Sequence, residues 1–397
     1  MKLTIERGDL LDALSHVQNI VERRTTIPIL SNVLMQAKKG ELRLTATDLD
    51  IEAVDSATAK VAGEGAVTAP AGTLFDVVRK LPAGAAVQME LNPETQRLVL
   101  TAGRSQFELP TLPAADFQTM SADEGGVTFS LAAGDLARLI DKTRFAISTE
   151  ETRYYLNGVY LHAAKNEAGK AVLRSVATDG HRLALAELKA PKGSEKLEGV
   201  IVPRKTVNEI RRLIDGREDE VTVTVTDTKI IVHAGKAVLT SKLIDGSFPD
   251  YARVIPKSND KKLTVDNKAF EAAVDRVSTV SAERSRSVKL TLGEGRLTLG
   301  AERELVAVGF AHVVRRADVD FGRVAVGDHP VAGFELIEDA FDPADHRDVE
   351  GAGDDGDVAR GRTFLQHQPP DLRAVVVEQL GGAHRAGKEQ RVGRERL

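Results

Sequence analysis

The chain has no cysteine, which excludes any disulfide and fits a reducing compartment. It has no apolar run approaching the length that crosses a bilayer, and Lys2, Glu6 and Arg7 interrupt any apolar leader after Met1. The expected location is therefore cytoplasmic. It has no excess of positive charge: 54 Lys and Arg against 59 Asp and Glu leave a formal net charge of -5. That excludes a surface coated in nucleic-acid-binding charge, but not positive residues gathered on one face. A Gly-rich phosphate loop, a nucleophile elbow and a metal-ligand cluster are all missing, so neither cofactor nor metal is expected. One stretch, Thr178-Asp179-Gly180-His181-Arg182, offers an acid/base pair two residues apart. Turn chemistry by Asp and Gly accounts for it better, and the chain is expected not to be an enzyme.

What is present is repetition. Leu3 and Ile5 alternate with Thr4 as in a half-buried strand, and Leu10, Leu14 and Val17 follow at helical spacing with Asp9 placed to cap the helix. The same unit returns as Phe129-Ser130-Leu131 followed by Leu136, Leu139 and Ile140, and again as Leu263-Thr264-Val265 followed by Phe270, Ala273 and Val274. Copies stand roughly 125–135 residues apart, the mark of a chain built from one repeated domain.

Within residues 1–120 the pattern runs on through a basic turn, Glu22-Arg23-Arg24-Thr25-Thr26, a hairpin about Lys39-Gly40, a helix between Pro70 and Pro82, and alternating strands near 87–91, 97–101 and 105–109. Residues 126–255 keep the order: a helix over 132–145, strands over 158–162 and 172–179, a helix from Pro203 through Ile214, then three strands. Ala46-Thr47-Asp48 reappears as Ala177-Thr178-Asp179. Two helices against a mostly antiparallel sheet in each repeat is an α+β architecture. The third repeat, from 261, has its strand, its helix and two further strands, and the pattern stops near 299.

Residues 300–397 differ in kind. After Gly300 there is no Ser, Asn, Tyr or Met, and five of the nine histidines (His312, His329, His346, His367 and His384) lie there without ligand spacing. A low-complexity extension, a divergent domain end with strands near 305–310 and 372–377, and out-of-frame translation of G+C-rich DNA all fit this composition, and the last fits best.

Basic residues recur on equivalent helices. Arg204, Asn208, Arg211 and Arg212 share one face opposite Val207, Ile210 and Ile214. Arg138 and Lys142 share another, and Arg79 and Lys80 end the second helix of the first repeat. The bland reading is a solvated helix face. Repeated in an array, such faces would suit DNA phosphates without reading sequence.

Several motifs together carry a family resemblance: Pro28-Ile29-Leu30, Thr47-Asp48-Leu49, Leu112-Pro113-Ala114-Ala115-Asp116-Phe117, Arg153-Tyr154-Tyr155-Leu156-Asn157-Gly158, Ala177-Thr178-Asp179-Gly180-His181-Arg182-Leu183, Val202-Pro203-Arg204-Lys205 and Phe248-Pro249-Asp250-Tyr251. Over residues 1 to about 299 the chain resembles the bacterial DNA polymerase III β subunit, the sliding clamp. The resemblance implies a head-to-tail homodimeric ring of three domains per chain, closed by a heterologous interface, through which double-stranded DNA passes. It implies short-peptide contacts with the replicative polymerase, the clamp loader and repair polymerases, and no membrane partner.

It further implies DNA contacts at Arg24, Arg153, Tyr154, Tyr155, Arg204 and Lys205, with Gly72 and Thr73 standing where the family often has basic residues. The implied partner-peptide pocket comprises Leu156, Thr178, Gly180, His181, Arg182, Leu183, Pro249, Arg253 and Val254. The implied dimer contact sets Phe107 and Leu109 against Thr279 and Val280. Core packing is the competing reading for Leu156, Leu183, Phe107 and Leu109. The family's Met-Pro-Met-Arg-like ending is replaced here by Arg394-Glu395-Arg396-Leu397. Weaker dimerisation and peptide binding are expected on that account, and a non-ring scaffold of clamp-like domains is the alternative function.

Overall fold

Leu3 and Ile5 point to one side of strand Lys2–Glu6 and are 1% and 2% exposed, as their alternation requires. The strand runs directly into helix α1, Arg7–Val17, which buries Leu10, Ala13, Leu14 and Val17. Each buried leucine of this kind is worth about 1.5–3 kcal/mol. The cap differs from expectation: Glu6, not Asp9, accepts from the free amides of Gly8 (2.6 Å) and Asp9 (3.2 Å). The helix begins one turn earlier than the apolar pattern suggested, and Asp9 sits in its first turn, where the helix dipole favours a carboxylate.

The computed structural model describes residues 1–22, 26–121, 125–166, 168–255, 262–279, 288–293 and 296–302. Beyond these it describes the backbone of strands Val314–Asp320, Ala332–Glu335, Ala374–Leu380 and Arg391–Arg394. The expected strand at 305–310 and the five histidines of the tail lie outside the described residues. Among the described residues no helix is long and apolar enough to cross a membrane.

Two compact units divide the chain. The first, Met1–Ala177 with Leu188–Phe248, holds most of the first two repeats. Its five-stranded sheet orders Lys60–Gly63, Lys2–Glu6, Ala86–Leu91, Arg97–Ala102 and Ser105–Pro110, leaving Ser105–Pro110 at an edge. An eight-stranded sheet orders Val127–Ala132, Glu220–Val225, Lys229–Ala234, Ala237–Lys242, Ile51–Thr58, Glu41–Thr47, Asn32–Lys38 and Gly65–Pro70. The hairpin between Asn32–Lys38 and Glu41–Thr47 turns at Lys39 and Gly40, both at positive φ (49° and 82°), as a two-residue primed turn demands.

Two features were not anticipated. Strands Ile51–Thr58, Lys60–Gly63 and Gly65–Pro70 come from a stretch so rich in alanine and glycine that its alternation is faint. And the repeats do not each close their own sheet: Ile51–Thr58 pairs antiparallel with Ala237–Lys242, in the register Val238↔Val54, Leu239↔Ala53, Thr240↔Glu52 and Ser241↔Ile51.

Helices α2 (Ala71–Lys80), α3 (Ala133–Asp141) and α4 (Arg204–Leu213) follow the expected positions. The expected 132–145 helix stops at Asp141, because the Thr143 hydroxyl donates to the Leu139 carbonyl (2.8 Å) and meets Ser175 Oγ (2.9 Å). A hydroxyl that bonds back to the ladder offers the chain an alternative to another turn, and Arg144–Ala146 continues as 3-10 helix. Ile214 caps α4 at its C-terminus instead of extending it.

The second unit comprises Thr178–Glu187 and Pro249–Leu397. Helix α5, Asn267–Ser278, starts at Asp266, whose Oδ1 accepts from Ala269 N (2.8 Å). Phe270, Ala273 and Val277 on α5 pack in one cluster with Leu297, Leu299 and Ala301, so the third repeat begins as its pattern foretold. Strand Arg296–Glu302 pairs antiparallel with Lys289–Gly293 on one side and with Val314–Asp320 on the other.

Candidate DNA and partner interface

The segment Glu151–Leu156 is a kinked 3-10 turn, broken at Arg153, where φ is -112° and ψ 50°. Arg153 pairs with Glu150 at 2.9 Å. Tyr154 is 53% exposed and meets Tyr155 edge-on, with centroids 5.7 Å apart, while the next residue, Leu156, is buried. The amide of Arg204, the first residue of α4, donates to the Asn157 carbonyl at 2.9 Å, and Gly158 lies opposite Pro203 in the strand ladder. Arg153, Tyr154, Tyr155, Arg204 and Lys205 are therefore neighbours in one unit, although fifty residues separate the two segments in the sequence. Arg24 lies outside the described residues.

The basic helix faces are less positive than their sequence suggested. Arg79 pairs with Asp76 (3.0 Å), Arg138 with Asp135 (4.0 Å), Arg144 with Asp141 (2.9 Å) and Arg212 with Glu209 (2.5 Å). Arg211 pairs with both Asp141 (2.9 Å) and Asp215 (2.8 Å). The exposed pairs Arg79–Asp76, Arg138–Asp135 and Arg144–Asp141 add little stability, but all of these pairs cancel charge locally. Burial raises the Glu209 carboxyl above its ordinary range against the pull of Arg212 and Lys205. Arg204 is exposed, and among the described residues no carboxylate is paired with it.

Lys205 is engaged differently. Its ammonium pairs with the Asp48 carboxylate, donates to the Ile20 carbonyl (3.3 Å) and lies 3.5 Å from Glu22. Lys242 pairs with Asp50 at 2.9 Å, so both carboxylates of the turn after strand Glu41–Thr47 are gripped by lysines of the second repeat. Sequence reasoning marked Thr47-Asp48-Leu49 as a motif but not as a contact. The recurrence of Ala-Thr-Asp in both repeats was the one available signal.

In the second unit, residues 178–183 form a tight turn. Thr178 Oγ1 donates to the Arg182 carbonyl (2.7 Å) and accepts from Gly180 N (3.1 Å), with Gly180 at φ 90°. Asp179 Oδ1 accepts from the amides of His181 and Arg182, both at 3.0 Å, and Oδ2 accepts from Arg182 Nε at 3.0 Å. Burial alone would raise the Asp179 carboxyl. The amides of Arg182 and His181 and the Arg182 charge outweigh it, and the net shift is downward. A carboxylate committed to three donors is a turn cap, not a proton acceptor for His181. Leu183 is buried, Arg253 Nε donates to Asp250 Oδ2 (2.7 Å), Pro249 is exposed, and Val254 is 39% exposed.

Of the expected dimer residues, Leu109 is buried and Phe107 half-buried on the edge strand Ser105–Pro110. Thr279 caps α5, its hydroxyl donating to the Asp275 carbonyl at 2.9 Å, and Val280 lies outside the described residues. A β-carbon at Gly72, in the first turn of α2, would meet open space.

Models of the DNA polymerase III beta subunit match in order: its N-terminal domain over residues 1–121, its central domain over 130–250 and its C-terminal domain over 252–308. A beta sliding clamp from Caulobacter vibrioides (strain NA1000 / CB15N) is 57% identical over 299 residues, 75% of this chain and 80% of that protein. The solved Caulobacter crescentus beta sliding clamp, with polyethylene glycol at a putative beta-motif tethering region, superposes with a TM-score of 0.75. It is 54% identical and covers 81% of this chain and 84% of its own. A Bartonella birtlesii clamp bound to griselimycin superposes with a TM-score of 0.74 at 42% identity, covering 84% and 87%. The chain belongs to the bacterial DNA polymerase III beta subunit family, the beta sliding clamps. It is a non-catalytic processivity factor.

Proposed function

We propose that this chain encircles duplex DNA as a head-to-tail dimer, touching phosphates through Arg24, Arg153, Tyr154, Tyr155, Arg204 and Lys205. The observation that supports this is the bond from Arg204 N to the Asn157 carbonyl, which ties the start of α4, where Arg204 is exposed, to the segment that carries exposed Tyr154. A ring that slides needs diffuse, screened attraction, and the local cancellation of helix arginines leaves little more than that. The domains of this reading are 1–120, 126–255 and the start of a third from 261, working in the cytoplasm, where the chromosome is copied. Partner peptides of the replicative polymerase, clamp loader and repair polymerases are read as contacting Leu156 in the first unit and, in the second, Thr178, Gly180, His181, Arg182, Leu183, Pro249, Arg253 and Val254. Edge strand Ser105–Pro110, carrying Phe107 and Leu109, takes the Thr279 and Val280 side of the other subunit.

The test is retention on DNA after loading. A closed ring stays on a circular duplex through gel filtration and is lost when the circle is cut. Equal retention on circles and linear duplexes would instead mark a scaffold that never closes.

A further inference from the structure

The turn Thr47–Asp48–Leu49–Asp50 is rigid before anything outside it is considered. Thr47 Oγ1 accepts from Leu49 N (3.0 Å) and donates to the Ile51 carbonyl (2.9 Å). Asp48 Oδ1 accepts from the amides of Asp50 (2.9 Å) and Ile51 (2.7 Å). The second carboxylate oxygen, Oδ2, therefore points in a preset direction, and its side chain is only 11% exposed. The corresponding turn of the second repeat spends its spare oxygen internally, on Arg182 Nε. At the position of Arg182 the first repeat has Ile51, which carries no charge. Asp48 Oδ2 must find its cation elsewhere, and it takes Lys205 from the first turn of α4 in the other repeat. The Ile20 carbonyl and Glu22 hold the same ammonium.

Lys205 thus differs from its neighbour Arg204, which extends into solvent. We propose that Lys205 is held in reserve: Asp48 sequesters its ammonium at the junction of the first two repeats, and a DNA phosphate engages it only by displacing that carboxylate. The inference rests on the reading of residues 204 and 205 as DNA-facing. A phosphate gains a cation there only at the cost of leaving a nearly buried carboxylate unpaired. The clasp is an internal competitor that keeps the hold on DNA loose.

The test is a double-mutant cycle on the full chain, read by anisotropy of a short fluorescein-labelled duplex over a series of salt concentrations. Asp48→Asn keeps the oxygen that caps the turn and removes the charge that binds Lys205. We expect it to tighten binding about fivefold, the size of one screened charge contact, and to steepen the salt dependence by about one counterion. Lys205→Ala alone should change affinity less than about twofold, yet abolish the gain when combined with Asp48→Asn.

If Asp48→Asn leaves affinity unchanged while Lys205→Ala weakens it equally in both backgrounds, Lys205 already contacts DNA and the clasp is no brake. If no variant alters binding, Lys205 does not meet DNA, and the assignment of that residue falls with the proposal. Thermal melts establish that each variant is folded. Should Asp48→Asn not fold, Glu22→Gln removes a second counter-charge without touching the turn. It should tighten binding about twofold through Lys205, and no gain would overturn the proposal.

Discussion

Tyr160 and Phe248 lie ring over ring, tilted by 1° with centroids 4.8 Å apart. The stack pins the last residue of the first unit to the strand Gly158–Lys165. It depends on a third residue, because a β-carbon at Gly199 would stand 1.9 Å from the Tyr160 hydroxyl oxygen and 2.3 Å from the ring.

Two substitutions should therefore rank in a definite order. Phe248→Ala removes a half-buried partner and should cost about 1 kcal/mol. Gly199→Ala forces the Tyr160 ring out of the stack and should cost about 2 kcal/mol or more. Urea unfolding of both variants checks the order, and an unperturbed Gly199→Ala would mean the ring has a second resting place.

His162, beside Tyr160 at 4.7 Å, should make the fold acid-sensitive. Burial lowers its pKa, and the bond of its Nδ1 with the Ala163 carbonyl (2.9 Å) offsets this only in part. A histidine held neutral binds fewer protons folded than unfolded. Its contribution is therefore undiminished above about pH 6.5, falls as pH drops below that value, and levels off below the folded pKa. His162→Gln should flatten the melting temperature between about pH 7.5 and 5 relative to the parent. Identical pH profiles would show that His162 does not govern this window.

The proposed peptide contacts offer a clean separation of binding from stability. Val254 is exposed enough for Val254→Asp to leave the melting temperature unchanged while weakening a polymerase-tail peptide about tenfold. Leu183→Ala, at a buried position, should instead cost about 2–5 kcal/mol of stability. Fluorescence polarisation with a labelled peptide decides, and undiminished binding by Val254→Asp would remove that residue from the proposed contacts.

Self-association should be weak, since the match to the C-terminal domain stops at residue 308. Phe107→Lys, on the edge strand, should abolish whatever dimer remains. Sedimentation velocity across a dilution series measures both. A dimer that persists at nanomolar concentration would show that the region past 308 is not needed to close the contact.

How much of this was legible beforehand depends on distance along the chain. Leu3, Ile5, Leu10 and Leu14 announce a strand and a helix because their partners are a turn away, and Lys39-Gly40 announces its hairpin for the same reason. The cap lies three residues before Asp9, at Glu6, and since the two carboxylates are chemically alike only the start of the helix tells them apart. The pairing of Val54 with Val238, and of Asp48 with Lys205, leaves no periodic trace, since residues so far apart in sequence share no pattern. The neighbourhood of Tyr154 and Arg204 came from resemblance alone, and it is one backbone hydrogen bond that brings the two segments together.

The strand pair joining Ile51–Thr58 to Ala237–Lys242 sits in the middle of its sheet, with three further strands on either side. The first two repeats are accordingly not beads on a string. Pulling them apart breaks a backbone ladder as well as apolar contact, so they should melt together as one cooperative block. The coupling is also digital. Inserting one residue between Ile51 and Val54 would turn every following side chain to the opposite face, and the two repeats would then meet in that single register or not at all.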